Sequence, residues 1–570
     1  MRILHLGWGY PPTYMFGGPV YYVHRLALEQ IARGHDVTVA CASDQDRDTM
    51  PPWAVGRAEH EGVPYVHVIN RSAHMYRLGD PAGETLDPGA ERAFLGILDA
   101  EAPDVLHIHN LVGLCMTLPR LARQRGVPVV MSLHNYWPLC PRVDLFQADR
   151  WACPGPQQAD CGACLASDAP AAAYRARHAA AVASLGSCDR LSAVSTRVAE
   201  IYAEHGVPRE LIEVERIGSD AASRLWRDIG HARVDDPAPA RPAFVFFGSQ
   251  VPNKGGHVIL EALGLMRNAD GYTFRFFGAS GGPAYGATIR ERLDALGPRA
   301  ANVEMTGHYT QDELPALLGA ADVAVLTPQW EDNGPQTVFE SLGAGLPVVG
   351  TRMGGVPDVV HDGVNGFLVP PADPRALADV LDRIVDDPGV IPRLRRGITP
   401  PRTIAEHADA LQRTYEEIAA ARRPAPRVSV VLRTGDRRAE LLRSMAALAD
   451  ATPDGAFELI VVDEGSRDGT RELLAAVEGD IRVLTRDAPA PAALALADSA
   501  AAARAPVACV VRLGAELRPG WLDRALAPGA PGGGIGPDGL PADPADAVVV
   551  PVTALADAGE AGRVAAMVLA

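Results

Sequence analysis

Apolar and polar positions along the chain alternate in a repeating rhythm: a short buried strand, a turn, then an amphipathic helix. Residues 2–7 form an apolar strand, and Val20, Val23, Ala27 and Ile31 then share one helical face up to Arg33-Gly34. Residues 35–40 are the next strand. Strands at 65–69, 105–109 and 127–133 alternate with helices at 90–100 and 117–125. A second series begins at 243–248 and continues through strands at 274–278, 302–307, 322–326 and 347–350. Helices at 311–320, 336–342 and 374–385 lie between or after them. This alternation predicts α/β domains with parallel sheets covered on both faces, whose ligands sit at the carboxyl ends of the strands. A long helix at 403–421 and a third strand series from 428 complete the pattern.

Composition narrows the partners. At 570 residues, 47% hydrophobic and 22% charged, the chain is long enough for about three globular domains. A net charge of −17 argues against a nucleic-acid or anionic-membrane surface. The first residues run straight into a strand, and no apolar run approaches the ~18–20 residues of a spanning helix. The expectation is a cytoplasmic protein with no nucleic-acid partner and no transmembrane segment, peripheral membrane contact being left open. Eight cysteines in so long a chain do not make a disulfide scaffold.

The stretch with the most chemical content is QWEDNGPQTVFESLGAGLPVVG, residues 329–350. A buried strand leads into a turn of Asp, Asn, Gly and Pro, and a helix begins at Gln336. Asp332 and Glu340 stand eight positions apart, about 800° of helical rotation, so they do not stack on one face. One carboxylate serves the loop and the other the helix, whose unpaired N–H groups suit a diphosphate. This stretch resembles the acid-x7-acid signature of family-4 retaining glycosyltransferases, which have the two-Rossmann GT-B architecture. The resemblance implies that Glu340 grips the ribose of a nucleotide sugar and that Asp332, with Glu331 beside it as a substitute, contacts the sugar.

Other runs extend the resemblance over about three quarters of the chain. Gly17-Gly18 is similar to the glycine pair that opens the family's first helix. LHNYWPLCPR resembles a segment whose histidine, here His134, lines the donor cleft, with Asn135 where Asp is usual. GSQVPNKG resembles the family's Gly-Arg-x4-Lys-Gly loop: Lys254 is in place and Ser249 occupies the arginine position. The implied catalytic set is His134, Lys254, Asp332 and Glu340. The implied donor-binding set is Gly17, Gly18, Ser249, Lys254, Glu331, Asn333, Gly334, Pro335, Gln336, Thr337 and Glu340. The implied reaction moves a sugar from a nucleoside diphosphate, a UDP-sugar by first choice, to a hydroxyl acceptor without a catalytic cofactor. A non-catalytic nucleotide-sugar-binding scaffold and a GT-B-fold epimerase are the rival readings.

Two regions stand outside this scheme. Cys140, Cys153, Cys161 and Cys164 lie in a Pro-, Gly- and Asp-rich stretch ending in C-x2-C, a set able to hold a structural zinc, with disulfides (disfavoured in a reducing cytosol) and unpaired buried thiols as the alternatives. Beyond residue 425, the run FELIVVDEGSRDGT resembles the nucleotide-binding half of family-2 glycosyltransferases, with Asp463 at the nucleotide. Arg512 and Gly514 stand where the family's metal-binding aspartates belong, and an arginine cannot ligate a cation. The expected organisation is an N-terminal Rossmann-like acceptor domain (1–218), a linker (219–241) and a nucleotide-sugar domain (242–400). A return helix with linker (401–424) and a truncated, inactive GT-A-like domain (425–570) follow. Few packed contacts are expected across the Pro-rich boundary near Arg423.

Overall fold

The computed structural model describes residues 1–12, 18–43, 49–70, 80–147, 153–279, 281–420, 426–451, 457–477, 481–505, 507–514, 547–552, 555 and 564. Gly17, Asp44, Asp46, Asp48, Arg423 and Glu516 lie outside the described residues.

The first sheet has eight strands: β1 (Arg2–Gly7), β2 (Asp36–Ser43), β3 (Val55–His60), β4 (Val63–Ile69), β5 (Val105–Ile108), β6 (Val129–Leu133), β7 (Arg190–Ala193) and β8 (Ile212–Val214). Their order is β3-β4-β2-β1-β5-β6-β7-β8, so the winding reverses between β1 and β5. Strand β3 runs antiparallel to β4, a departure from the parallel sheet read from the sequence. Most of its residues are solvent-exposed, so Val55–His60 carries no apolar run that would mark a strand. Its pairing comes from a two-residue turn at Glu61 (φ 49°) and Gly62 (φ 82°), the left-handed pair that closes hairpins.

The second sheet comprises β9 (Ala243–Phe247), β10 (Thr273–Phe277), β11 (Val303–Thr306), β12 (Val323–Leu326), β13 (Val348–Thr351) and β14 (Gly366–Val369), ordered β11-β10-β9-β12-β13-β14. This is the doubly wound dinucleotide-fold order, with its reversal between β9 and β12. Phe244, Phe246, Phe274, Phe276, Val323 and Val325 are buried in its core together with Leu377 and Leu381 of the helix Pro374–Asp386. At ~25 cal/mol per Å² of apolar burial such residues supply the main stabilisation of the domain.

Residues 219–241, expected to be a linker, are helical from Asp220 through Arg233. The Pro- and Ala-rich run hides this, but Trp226 and Ile229 pack on the second core and Arg233 donates to the carbonyls of Leu318 (3.0 Å) and Ala321 (2.5 Å). Gly230 is required there: a Cβ would meet the Gly343 carbonyl oxygen at 2.0 Å.

By internal contacts the chain forms two compact units. One comprises Met1–Glu84, His107–Leu114 and Val130–Tyr415, and the other Thr85–Leu106, Cys115–Val129 and Glu416–Ala570. The second holds a five-stranded sheet: β15 (Val428–Thr434), β16 (Phe457–Glu464), β17 (Ile481–Arg486), β18 (Val507–Val511) and β19 (Ala547–Pro551), ordered β17-β16-β15-β18-β19. Helices Pro88–Glu101 and Leu118–Gln124 belong to this unit, and Arg120 donates to the Leu474 carbonyl at 2.9 Å. The expectation of few contacts across the boundary near Arg423 is thereby corrected. Those helices read as ordinary members of the first domain, because hydrophobic period shows that a face is buried and not against what.

Candidate active site

The winding reversal of the second sheet places the ends of β9 and β12 side by side, and a narrow crevice opens there. Phe247, Gly248, Lys254, Thr327, Asp332 and Thr337 are among its lining residues. Lys254 enters at the end of a short 3-10 turn, and Gly255 (φ 76°) approaches the Thr327 carbonyl so closely that a Cβ would sit 2.0 Å from its oxygen. Lys254 Nζ donates to Asp332 Oδ2 at 2.6 Å and lies 5.3 Å from the centre of the Trp330 ring. It is the single cation lining the crevice among the described residues. Ser249, at the arginine position, is exposed and absent from that lining.

The two adjacent acids are held differently. Glu331 accepts from Arg197 Nε at 3.1 Å and from the Gly354 amide at 3.1 Å, so both of its oxygens are engaged. Asp332 faces Lys254 and the crevice. Its backbone is clamped by the turn at Gly354 (φ 54°), where a Cβ would lie 2.2 Å from the Asp332 carbonyl oxygen. Arg197 was not singled out in the sequence; its position directly after the helix-capping Ser195 and Thr196 at the end of β7 was the available signal.

The helix Gln336–Gly343 begins after Pro335, which provides no side-chain cap. The first backbone bonds back to Pro335 come from Val338 (2.9 Å) and Phe339 (3.2 Å), so the amides of Gln336 and Thr337 lie ahead of the ladder. Gln336 accepts from Ser219 Oγ at 3.3 Å, and a Cβ on Gly18 would come within 3.3 Å of its Cγ. Gly334 packs beside Val194, and Asn333 Nδ2 donates to the His134 carbonyl at 2.9 Å. Glu340 lies deeper and is 6% exposed. Burial pushes its carboxyl up to about 7, against a hydrogen bond from Gln311 that pulls the other way. Gln311 and Tyr309, which flank Glu340 electrostatically, were also missed by sequence reasoning.

At the winding reversal of the first sheet, histidines accumulate. His5 is on β1, His107 on β5, His109 just past it and His134 just past β6. His5 Nε2 contacts Gln30 Oε1 at 2.6 Å, His5 Nδ1 contacts His109 Nε2 at 2.9 Å, and His109 Nδ1 contacts His134 Nε2 at 3.1 Å. Burial pushes His5 down to about 4, His134 to about 3, and His109 well below its ordinary value, so all three are neutral near pH 7. With the Gln30 oxygen as terminal acceptor, each ring donates through Nε2 and accepts through Nδ1. His134 is left with Nδ1 as its acceptor atom.

Cys140, Cys153, Cys161 and Cys164 are all free thiols. Cys161 feels both Cys153 and Cys164 electrostatically, and Cys140 feels Cys153. Among the described residues, no three of these sulfurs lie within 4.8 Å of one another. In the second unit Asp463 is fully buried and accepts from Arg471 Nε at 2.7 Å, while Arg512 is exposed and Gly514 takes φ 90°.

Residues 16–220 match the description "Glycosyltransferase Family 4", residues 241–387 "Glycosyl transferases group 1", and residues 429–528 "Glycosyl transferase family 2". The chain is a glycosyltransferase whose successive parts match the family-4, group 1 and family-2 models. This glycosyltransferase is 28% identical over 408 residues to a glycogen synthase of Mycobacterium tuberculosis, covering 70% of this chain and 89% of the relative. It is 28% identical over 466 residues to a D-inositol 3-phosphate glycosyltransferase of Mycolicibacterium vanbaalenii, covering 77% and 93%. Among solved structures it resembles Anabaena HepE in complex with UDP and glucose (TM-score 0.51, 18% identity, 73% of this chain and 100% of that one). The sucrose-phosphate synthase of Thermosynechococcus elongatus gives a TM-score of 0.53 at 18% identity, over 74% of this chain and 100% of that one. At these identities the structural likeness establishes the GT-B fold alone.

Proposed function

We propose that the glycosyltransferase moves a sugar from a nucleoside diphosphate, UDP by preference, to a hydroxyl acceptor with retention of anomeric configuration. The observation that carries this reading is the convergence of Lys254, Asp332 and the uncapped start of the helix Gln336–Gly343 on one crevice, with Glu340 buried further along the same helix. The preference for UDP draws on the UDP-bound HepE structure. In the proposed roles Glu340 holds the ribose hydroxyls and Asp332 the sugar hydroxyls. His134 offers Nδ1 to a donor hydroxyl. Glu331, tied to Arg197 and the Gly354 amide, positions the loop and does not touch the sugar.

In a front-face reaction the acceptor oxygen attacks the anomeric carbon on the side from which the phosphate leaves. The bond to the phosphate oxygen breaks, and that oxygen takes the acceptor proton. Negative charge on the departing diphosphate is met by Lys254, for which it competes with Asp332, and by the Gln336 and Thr337 amides. No step calls on a metal ion. Thermal shifts against UDP-, GDP-, ADP- and dTDP-sugars identify the donor, since a ligand at 100 times its Kd stabilises by ~2.7 kcal/mol. Proton NMR of the product then reads its anomeric configuration, and an inverted product refutes the reading. A new sugar nucleotide without transfer supports the epimerase instead.

The reaction is placed in the cytoplasm, a reducing compartment suited to eight free thiols. No helix among the described residues is long and apolar enough to cross a membrane. The four clustered cysteines are proposed to hold one structural zinc, whose tetrahedral geometry needs sulfurs about 3.8 Å apart and so would draw their loop together. Elemental analysis of protein purified without chelator tests this, with about one zinc per chain expected at the thiolates and lost in Cys164→Ser.

A further inference from the structure

A second cluster of metal-ligating groups lies at the edge of the first sheet, outside the lining of the crevice. His24 projects from the helix Gly18–Ala32 and is 4% exposed, while His60 and Glu61 are consecutive residues where β3 turns into β4. His24 Nε2 lies 3.0 Å from Glu61 Oε2, and the His24 and His60 ring centres are 5.1 Å apart. One ligand atom from each of the three falls within 4.8 Å of the other two. Among the described residues, neither nitrogen of His60 has a hydrogen-bond partner; its ring touches only those of His24 and Tyr10.

We propose that His24, His60 and Glu61 form a zinc site that clips the β3–β4 hairpin to the helix Gly18–Ala32. Two imidazoles and one carboxylate are a zinc donor set that leaves a fourth position for water. The outer contact also fits. Tyr10 Oη sits 2.7 Å from His24 Nδ1, the kind of partner that fixes the tautomer of a ligating histidine. The proton balance is simple. Ligation through Nε2 places the ring proton on Nδ1, from which it is donated to the Tyr10 oxygen. The hairpin turn presents two consecutive ligands because Glu61 and Gly62 both adopt left-handed backbone. Sequence spacing could not reveal this set, since His24 is 36 positions from His60.

The test uses the full chain stripped with EDTA and titrated with Co2+ alone, then with Zn2+ in competition. The wild type is expected to show the visible bands of a nitrogen–oxygen Co2+ site, separable from the sulfur charge-transfer band that the cysteine site adds. Zn2+ should displace that signal. His60→Ala and Glu61→Gln, both at a half-exposed or exposed turn, should each weaken this binding at least tenfold, and Cys140→Ser should leave it unchanged. Uptake of Co2+ at thiolates only, or equal affinity in the wild type and both turn variants, overturns the proposal.

Discussion

Glu340 gives the sharpest test, because its stability and binding consequences have opposite signs. An ordinary glutamate titrates near 4.5 and this one near 7, driven by burial. At ~1.4 kcal/mol per pH unit, that difference is about 3 kcal/mol. The native state binds the extra proton, so the full native stability is present below about 4.5 and is lost as pH rises through about 7. Glu340→Gln removes the penalty, and the ligand-free variant should exceed the wild type by up to about 3 kcal/mol at pH 8.5 and match it near pH 4.5. Donor binding should move the other way. A charge-assisted bond to ribose is worth about 1.5–3 kcal/mol, so the variant should bind UDP roughly tenfold to a hundredfold more weakly at pH 8. Wild-type affinity should rise toward a plateau above pH 7, while that of the variant stays flat. Urea titrations from pH 4.5 to 8.5 and calorimetric UDP titrations from pH 5.5 to 8.5 measure the two effects. Equal UDP affinity in the two proteins, or a wild-type affinity that ignores pH, refutes the ribose role.

Three further outcomes follow from the packing. Arg177 is buried against Glu84, donates to the carbonyls of Trp137 (2.8 Å) and Pro138 (3.1 Å), and stacks on the Trp137 ring. Arg177→Met should cost about 3–5 kcal/mol in urea unfolding by stranding the Glu84 carboxylate, and adding Glu84→Leu should recover much of it. Nitrogen NMR of labelled protein should find His134 neutral at pH 6 with its proton on Nε2, whereas His109→Leu should free the ring to exchange tautomers; a charged His134 at pH 6 refutes the chain of neutral rings. Cutting after residue 420 removes the Leu474 carbonyl from Arg120 and the partners of helices Pro88–Glu101 and Leu118–Gln124. The shortened chain should therefore melt several degrees lower or aggregate, and equal melting temperatures would show that those helices need no partner.

The sequence by itself determined the local elements and the loop chemistry. Strand and helix at 322–350 were legible because a four-residue apolar strand, a Gly-Pro turn and a Gly-Ala-Gly stop each act within a few residues of themselves. Lys254, Asp332 and Glu340 could be singled out for the same reason, their motifs being short and contiguous. The antiparallel β3 was not legible, since its polar, exposed residues carry no period and its pairing rests on one hairpin turn. Nor was the division of labour between Glu331 and Asp332, which are equivalent as letters. Arg197, lying 134 positions away, occupies one and Lys254, 78 positions away, faces the other. The raised pKa of Glu340 depends on burial, the stacking of His5, His109 and His134 on three strands meeting at a winding reversal, and the proposed zinc clip on a helix meeting a hairpin. Each is set by which distant segments share space, and hydrophobic patterning records only that a position is buried. Tertiary structure alone decides its neighbours.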